Sequence, residues 1–264
     1  MLVDSHCHLN FPDYKDDLEA VIARAHEAGV QVMQTICTEI EEFDEVAAIA
    51  ESHAGIYCSV GVHPNESGEK QHAHLGDLLS RASHPKVIGI GETGLDYHYE
   101  RSDRAVQQES FRIHIDAARK SGLPLIVHTR EADDDTLRIL DEEMKKGAFK
   151  GLIHCFTASK HLAEEAIRMG FYISLSGIIS FKNADDIRNT VKGLPRERLL
   201  IETDAPFLAP LPHRGKRNEP SFVQYTNRKL AETLQISEEE CAALTTENFF
   251  RLFDKVRKDR HPAA

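Results

Sequence analysis

The 264-residue sequence predicts a TIM (β/α)8 barrel, because strand-like and helix-like segments alternate along its length. Eight short apolar runs are each followed by a helical segment or a helical loop. Each such unit takes about 25–35 residues, the usual size of a βα unit. The runs are almost continuously apolar, as expected for parallel strands that helices cover. A doubly wound open sheet is the alternative, and the count of eight units favours the barrel.

The predicted strands are 2–9, 30–37, 56–62, 87–92, 123–128, 151–156, 171–176 and 199–203. The helices between them are predicted at 17–28, 42–53, 75–82, 103–121, 136–146, 160–169 and 184–191, where apolar residues recur at helical spacing. A Pro-rich loop, 206–220, precedes two last helices at 222–234 and 237–252. Ser237 and Glu240 are typical of a capping box, and the charged tail 255–264 is expected to fray. No linker or repeat beyond the βα unit interrupts the pattern, so we expect one domain over 1–264.

The composition argues against a nucleic-acid-coating protein, a membrane protein and a disulfide-bonded protein. A formal net charge of −11 argues against a protein that coats nucleic acid through a broad basic surface. No window approaches the roughly 18 apolar residues of a membrane span, and no signal-peptide pattern precedes the first strand. The five cysteines are scattered without a C-x-x-C pair, which is typical of reduced thiols. We therefore expect a cytoplasmic protein without a membrane contact or an obligate protein partner.

Metal-ligand side chains end five of the eight apolar runs. In a barrel the carboxyl ends of the strands meet at one face, so these side chains should face one another. His6 and His8 alternate along one strand and point to the same side. Burying such a cluster costs several kcal/mol unless a cation offsets it. The residues that form the predicted metal site are His6, His8, Glu92, His128, His154 and Asp204.

A competing motif, Gly89-Ile90-Gly91-Glu92-Thr93-Gly94, matches the dinucleotide pattern G-x-G-x-x-G. Its first glycine falls within a strand, and residues 95–99 are expected to be a loop rather than a helix start. The acidic residue that should follow about 20 positions later would fall inside a helix. A metal site is therefore favoured over a dinucleotide site.

The motifs V-D-S-H-C-H-L, G-V-H-P, G-E-T-G-L-D-Y, Q-Q-E-S-F, V-H-T-R, H-C-F-T, E-T-D-A-P and P-H-R-G-K-R-N-E-P cover nearly the whole chain. Together they resemble those of the TatD family of metal-dependent hydrolases and deoxyribonucleases, and look closest to its bacterial YcfH branch. The resemblance implies a barrel of the amidohydrolase-like superfamily. It also implies that His6, His8 and Asp204 bind a first metal ion. Glu92 would then bridge to a second ion, which His128 and His154 bind.

Two divalent ions would make such a site attractive to a phosphate group and would lower the pKa of a bound water. Four imidazoles suit Zn, Mn, Fe, Co or Ni better than Mg, whereas the resemblance points to Mg or Mn. Asp204 is the candidate to accept the proton of the water, with Glu92 as the second catalytic carboxylate. The candidate substrate-side residues are His63, Arg130, Glu202 and Arg214. Glu202 could lie behind the ligands or pair with a buried arginine, and both possibilities are open. Arg214 and Arg217 in the Pro-rich loop could also contact phosphate, although a solvated loop is slightly favoured for both.

These observations favour a hydrolase that cleaves DNA phosphodiester bonds, with a preference for 3′ ends or single strands. The alternative is a metal-dependent hydrolase of a small amide, lactone or phosphoester. A non-catalytic module that binds nucleic acid or a partner is a third possibility. The acidic net charge and the absence of tryptophan count against that third possibility.

Overall fold

A computed structural model describes residues 1–68 and 73–256, and its strands form a nearly closed parallel barrel in sequence order. The strands are β1 (Leu2–Cys7), β2 (Val30–Thr35), β3 (Ile56–Val60), β4 (Val87–Asp96), β5 (Leu125–Arg130), β6 (Gly151–Ile153), β7 (Tyr172–Leu175) and β8 (Leu199–Ile201). Each strand pairs in parallel with the next. The predicted fold class and the eight predicted strands are confirmed.

Helices follow the strands on the outside of the barrel. In the described residues they are α1 (Leu18–Glu27), α2 (Phe43–Ser52), α3 (Leu75–Ala82), α4 (Arg104–Ser121), α5 (Asp133–Lys146), α6 (Lys160–Arg168), α7 (Asp185–Lys192), α8 (Val223–Leu234) and α9 (Glu238–Leu252). The predicted capping box forms at the start of α9, where the Ser237 side chain accepts a hydrogen bond from the Glu240 N–H. Of the helices in the described parts of the chain, none combines the length and the apolar character needed to span a membrane.

The barrel closes where β1 meets the segment that follows β8. The Asp204 N–H donates to the His6 carbonyl at 2.9 Å, and the His8 N–H donates to the Ala205 carbonyl at 2.8 Å. These bonds continue the parallel ladder past the end of β8, and they place residues from the two ends of the sequence side by side. Asp204 can therefore lie next to His6 and His8.

Two apolar clusters stabilise the barrel. The larger one lies between the strands and the surrounding helices. The smaller one fills the barrel interior at the amino ends of the strands, with one residue or more from every strand: Val3, Val32, Tyr57, Ile88, Ile126, Leu152, Tyr172 and Leu200. Phe249, Phe250 and Phe253, in and just after α9, complete this cluster and cover that end of the barrel. Because apolar side chains fill the amino end, polar side chains in the interior gather at the carboxyl end.

Two local predictions were wrong. Residues 95 and 96 were expected in a loop, but β4 continues to Asp96 because Gly94, Leu95 and Asp96 pair with the end of β5. The tail was expected to fray from residue 255. Val256 is fully buried, and the Lys255 ammonium donates to the carbonyls of His84 and Val87. The rest of that prediction, residues 257–264, lies outside the described part of the chain.

Candidate metal centre

The structure brings the six predicted ligands together at the carboxyl end of the barrel. His6 lies at the end of β1 and His8 just beyond it; Glu92 belongs to β4 and His128 to β5. His154 follows β6 and Asp204 follows β8. Only Asp204 and His128 expose more than a tenth of their side chains, 14% and 18%. This places the cluster at the bottom of an open bowl rather than in a closed core. The role of these side chains as metal ligands stays a prediction.

Glu92 lies at the middle of the cluster. Its Oε2 is 3.3 Å from His6 Nε2. Its Oε1 is 2.7 Å from His154 Nε2 and 3.0 Å from His128 Nδ1. One carboxylate oxygen therefore faces the β1 side of the bowl, and the other faces the β5 and β6 side. This is the position that a bridging carboxylate needs.

On the β1 side, Asp204 completes a group with the two histidines of the first motif. Its Oδ1 lies 3.3 Å from His8 Nε2 and 3.6 Å from His6 Nε2. The backbone of Asp204 has a φ of +56°, in the left-handed region that aspartate tolerates better than most residues. This turn directs the carboxylate back over the end of β1.

On the β5 side, His63 joins the cluster. It was predicted as a substrate contact, and its Nε2 lies 3.5 Å from Glu92 Oε1. Its Nδ1 accepts a hydrogen bond from the Asn65 N–H at 3.1 Å, so Nε2 is the nitrogen that faces the bowl. His63, Glu92 and His128 offer three ligand atoms that lie close enough together to hold one ion. His63 is thus a further candidate ligand.

The donor set fits divalent metal ions. Ligand atoms at about 2.0–2.2 Å from one ion are about 3–3.6 Å apart, and the N–O distances around Glu92 and Asp204 fall in or near that range. His6 Nε2, which faces Glu92 and Asp204, is buried and has no hydrogen-bond partner. Buried polar atoms of this kind are costly unless something binds them. Donor type, spacing and this unsatisfied nitrogen therefore agree with a metal centre.

The electrostatics of the cluster couple carboxylates to imidazoles. Burial would raise the pKa of Glu92, but the nearby histidines, His154 first among them, hold it well below its usual range. Burial would lower the pKa of His154, but the carboxylates of Glu92 and Glu202 raise it well above its usual range. Burial lowers the pKa of His63 to about 3. Glu92 is therefore ionised over the whole physiological range, and the positive charge that balances it comes from protons on histidine or from a metal ion.

Glu202 lies behind the ligands, fully buried. Its Oε1 is 3.2 Å from His154 Nδ1 and accepts a hydrogen bond from the Cys155 N–H at 2.8 Å. Such a contact fixes the ring so that Nε2 faces the bowl. A histidine, rather than a buried arginine, is the charged partner of this carboxylate.

The arginines lie farther out. The Arg130 guanidinium lies over the Tyr99 ring at 4.7 Å, and that of Arg214 lies over the Phe181 ring at 4.4 Å. Arg217, the other arginine of the Pro-rich loop, binds the Asp17 carboxylate at 2.7 Å and so attaches the loop to the start of α1. A role in substrate binding stays open for Arg130 and Arg214, whereas Arg217 has a structural partner.

Two carboxylates near the centre, Asp96 and Asp4, were not among the predicted site residues. Asp96 Oδ2 lies 3.2 Å from His128 Nε2 and accepts a hydrogen bond from the Asn65 side-chain amide. Asp4 accepts from the Thr203 N–H at 2.9 Å, and its burial raises its pKa to about 8. The signal for Asp96 was its position four residues after Glu92 on the same strand. Asp4 carried no such signal, because it precedes the histidines within an apolar run.

Known proteins resemble this chain over nearly its whole length. A family model described as TatD related DNase matches residues 3–254. The uncharacterized metal-dependent hydrolase YabD of Bacillus subtilis is 42% identical over 253 residues, which is 96% of this chain and 99% of that protein. YcfH of Escherichia coli, also described as an uncharacterized metal-dependent hydrolase, is 41% identical over 255 residues. The match spans 96% of this chain and 95% of that protein. A protein of Cronobacter turicensis named 3′-5′ ssDNA/RNA exonuclease TatD is 32% identical over 261 residues. The match spans 96% of this chain and 98% of that protein.

Solved structures share the fold. The TatD homologue YJJV of Escherichia coli superposes with a TM-score of 0.88 at 30% identity and covers 96% of this chain and 98% of that chain. An organophosphorus hydrolase of Deinococcus radiodurans superposes with a TM-score of 0.66 at 16% identity, covering 96% and 92%. The second likeness is one of fold alone.

Proposed function

Since the chain is a metal-dependent hydrolase that belongs to the family of TatD-related DNases, we propose that it hydrolyses phosphodiester bonds in DNA at the centre around Glu92. The position of Glu92 carries this proposal. Its two carboxylate oxygens face two different groups of histidines, at 3.3 Å on one side and at 2.7 and 3.0 Å on the other. A site of this kind suits two ions that share one carboxylate.

Two divalent ions, whether Mg, Mn or Zn, would supply Lewis acidity and a water of lowered pKa. In the proposed assignment His6, His8 and Asp204 hold one ion, His128 and His154 hold the other, and Glu92 contacts both. Of the ligands around the first ion, Asp204 has the side chain that reaches solvent, with 14% of it exposed. In this proposal its carboxylate would accept the proton of the attacking water, and its exposure supports that role.

Other residues would orient the ligands or the substrate. Glu202 accepts from His154 Nδ1–H and so keeps Nε2 directed at the bowl. His63 reaches Glu92 and borders the opening, where it would contact a phosphate oxygen or a metal ion. Arg130 and Arg214 are the candidate contacts for the flanking phosphates. The name of the Cronobacter relative supports a single-stranded substrate that is cut from its 3′ end. A cytoplasmic location remains part of the proposal and agrees with the five unpaired cysteines.

The test is cleavage of a single-stranded oligodeoxynucleotide by protein supplied with Mg, Mn or Zn. We expect cleavage by the unsubstituted protein and none above the metal-free background by His128→Ala. His161→Ala, which removes an exposed histidine on α6, is the matched control and should cleave normally. Equal activity of His128→Ala would contradict the proposal. Turnover of a lactone, amide or small phosphoester without DNA cleavage would favour the alternative hydrolase instead.

A further inference from the structure

Exposed apolar side chains are concentrated on the face that carries the metal centre. Among the described residues, four large apolar side chains are strongly exposed: Met1, Tyr99, Phe207 and Leu211. Met1 lies at the amino end of the barrel. The other three lie in loops at its carboxyl end, after β4 and after β8. Single exposed apolar residues are common, but two aromatic rings at one catalytic opening suggest a ligand.

Phe207 lies at the β1 side of the centre, with 52% of the residue exposed. Its ring centroid is 6.3 Å from that of His8 and 5.9 Å from that of Phe11, which itself stacks on His8 at 4.5 Å. The Phe207 N–H donates to the Asp204 carbonyl, and its carbonyl accepts from the buried Asn218 amide at 2.6 Å. The backbone therefore holds this exposed ring in place beside two candidate ligands.

Tyr99 lies at the β5 side, with 54% exposed. Its N–H donates to Asp96 Oδ1, while Asp96 Oδ2 contacts His128 Nε2 at 3.2 Å. The Arg130 guanidinium lies 4.7 Å from the centre of the ring. Tyr99 is thus joined to His128 through the Asp96 carboxylate, and the Arg130 cation lies against the Tyr99 ring.

The histidine rings of the centre form a row that begins beside Phe207. From Phe207 the row passes through His8, His6, His154 and His128, with centroid distances of 6.3, 5.1, 4.0 and 5.5 Å. The row ends at His128, whose Nε2 contacts the Asp96 carboxylate that also accepts from the Tyr99 N–H. Phe207 and Tyr99 therefore adjoin different ligands of the metal centre. A nucleic-acid strand with a phosphate at Glu92 would have an exposed aromatic ring near the His8 ligand and another near the residues around His128.

We propose that Phe207 and Tyr99 are stacking platforms for bases on either side of the scissile phosphate, and that they select single-stranded nucleic acid. This inference rests on the proposed function. Bases in a duplex are already stacked on their neighbours, whereas those of a single strand have free faces for an aromatic ring. With a net charge of −11, the protein has little general attraction for a polyanion, so the affinity must come from local contacts: the metal centre, the arginines at its edge and stacking on these two rings.

The experiment uses the metal-loaded full chain and a fluorescent oligothymidylate, with binding measured by anisotropy and cleavage by gel. We expect Phe207→Ala and Tyr99→Ala each to lower kcat/KM and affinity by about tenfold. Phe207→Trp and Tyr99→Phe should restore both values. Leu211→Ala removes an exposed apolar side chain from the same face and should behave as the unsubstituted protein does. On an oligonucleotide whose sugars carry no bases, all of these proteins should be equally active.

The outcomes separate the two proposals. If the unsubstituted protein cleaves the oligonucleotide and the alanine variants match it, the platforms do not exist and the proposed function stands. If it does not cleave but binds the oligonucleotide through both rings, the platforms stand and the proposed function falls. A protein that neither binds nor cleaves would overturn both. Equal losses on the base-free oligonucleotide would show that the substitutions damage the metal centre rather than remove a stacking surface.

Discussion

His114 supports the strand end that carries His63, and its protonation should destabilise the fold. The imidazole lies on α4 and is fully buried. Its Nδ1 lies 2.7 Å from the Ser110 carbonyl, to which it donates, and its Nε2 accepts from the Val62 N–H at 2.9 Å. Only a neutral ring can make both bonds. Burial lowers the pKa of His114 from 6.5 to about 4, although the bond to Ser110 raises it in part.

The sign of the pH effect follows from this lowered pKa. Well above pH 6.5 the ring is neutral in both the folded and the unfolded chain, so its full contribution to the free energy of unfolding is present. As the pH falls, the unfolded chain binds the proton first, and stability is lost until the pH reaches about 4. Over that range the free energy of unfolding should fall by about 3 kcal/mol, of which about 2 kcal/mol is lost by about pH 5.

His114→Leu tests this reasoning through urea unfolding of the metal-free protein at about pH 7.5 and about pH 5. At the higher pH the variant should be less stable by about 1–3 kcal/mol, because the Val62 N–H loses its acceptor. Between the two values it should lose about 2 kcal/mol less than the unsubstituted protein. His161→Leu, which removes an exposed histidine, is the control. An acid-dependent loss in His114→Leu as large as in the unsubstituted protein would refute the assignment.

Three further predictions concern the centre and its loop. Glu202→Gln removes the negative charge that faces His154, so metal affinity measured by calorimetric titration should fall by about 10- to 100-fold; unchanged affinity would show that Glu202 does not orient that ligand. Burial alone would lower the pKa of His154, but Glu92 and Glu202 raise it, so protons compete with metal. Metal affinity should therefore be highest above that pKa and decline as the pH falls through it. A metal affinity that does not change from neutral to acidic pH would contradict this. Asn218→Ala deletes an amide that donates to two backbone carbonyls of the loop after β8. It should lower the free energy of unfolding by about 2 kcal/mol, and equal thermal stability would mean that these bonds do not hold the loop.

Much of this architecture could be predicted from the sequence, because a barrel repeats one rule eight times. Each apolar run marks a strand, and the polar residue at its carboxyl end must point toward the same opening. This rule placed His6, Glu92 and Asp204 in one cluster although up to 198 positions separate them. The motif spacing did not reveal which nitrogen of each ring faces the centre. That depends on partners such as Glu202, which lies 48 positions after His154.

The missed features depend on tertiary pairing rather than on local pattern. β4 continues to Asp96 because the end of β5 supplies its partner, and neither segment alone indicates that extension. Asp96 thereby comes within reach of His128. Arg217 was a candidate for substrate contact because it lies in the Pro-rich loop. In the structure it binds Asp17, which lies 200 positions earlier in the sequence. Contacts of this range become visible only when the barrel is closed.

The measurement that tests the central claim most directly is the metal content of protein purified without chelator and then dialysed against Mn or Zn. Elemental analysis of the unsubstituted chain should find about two equivalents, and Glu92→Gln should retain less than one because both ions lose a shared ligand. The same samples should cleave single-stranded DNA in proportion to their metal content. A chain that holds no divalent metal after dialysis, or that cleaves equally well without it, would contradict the account.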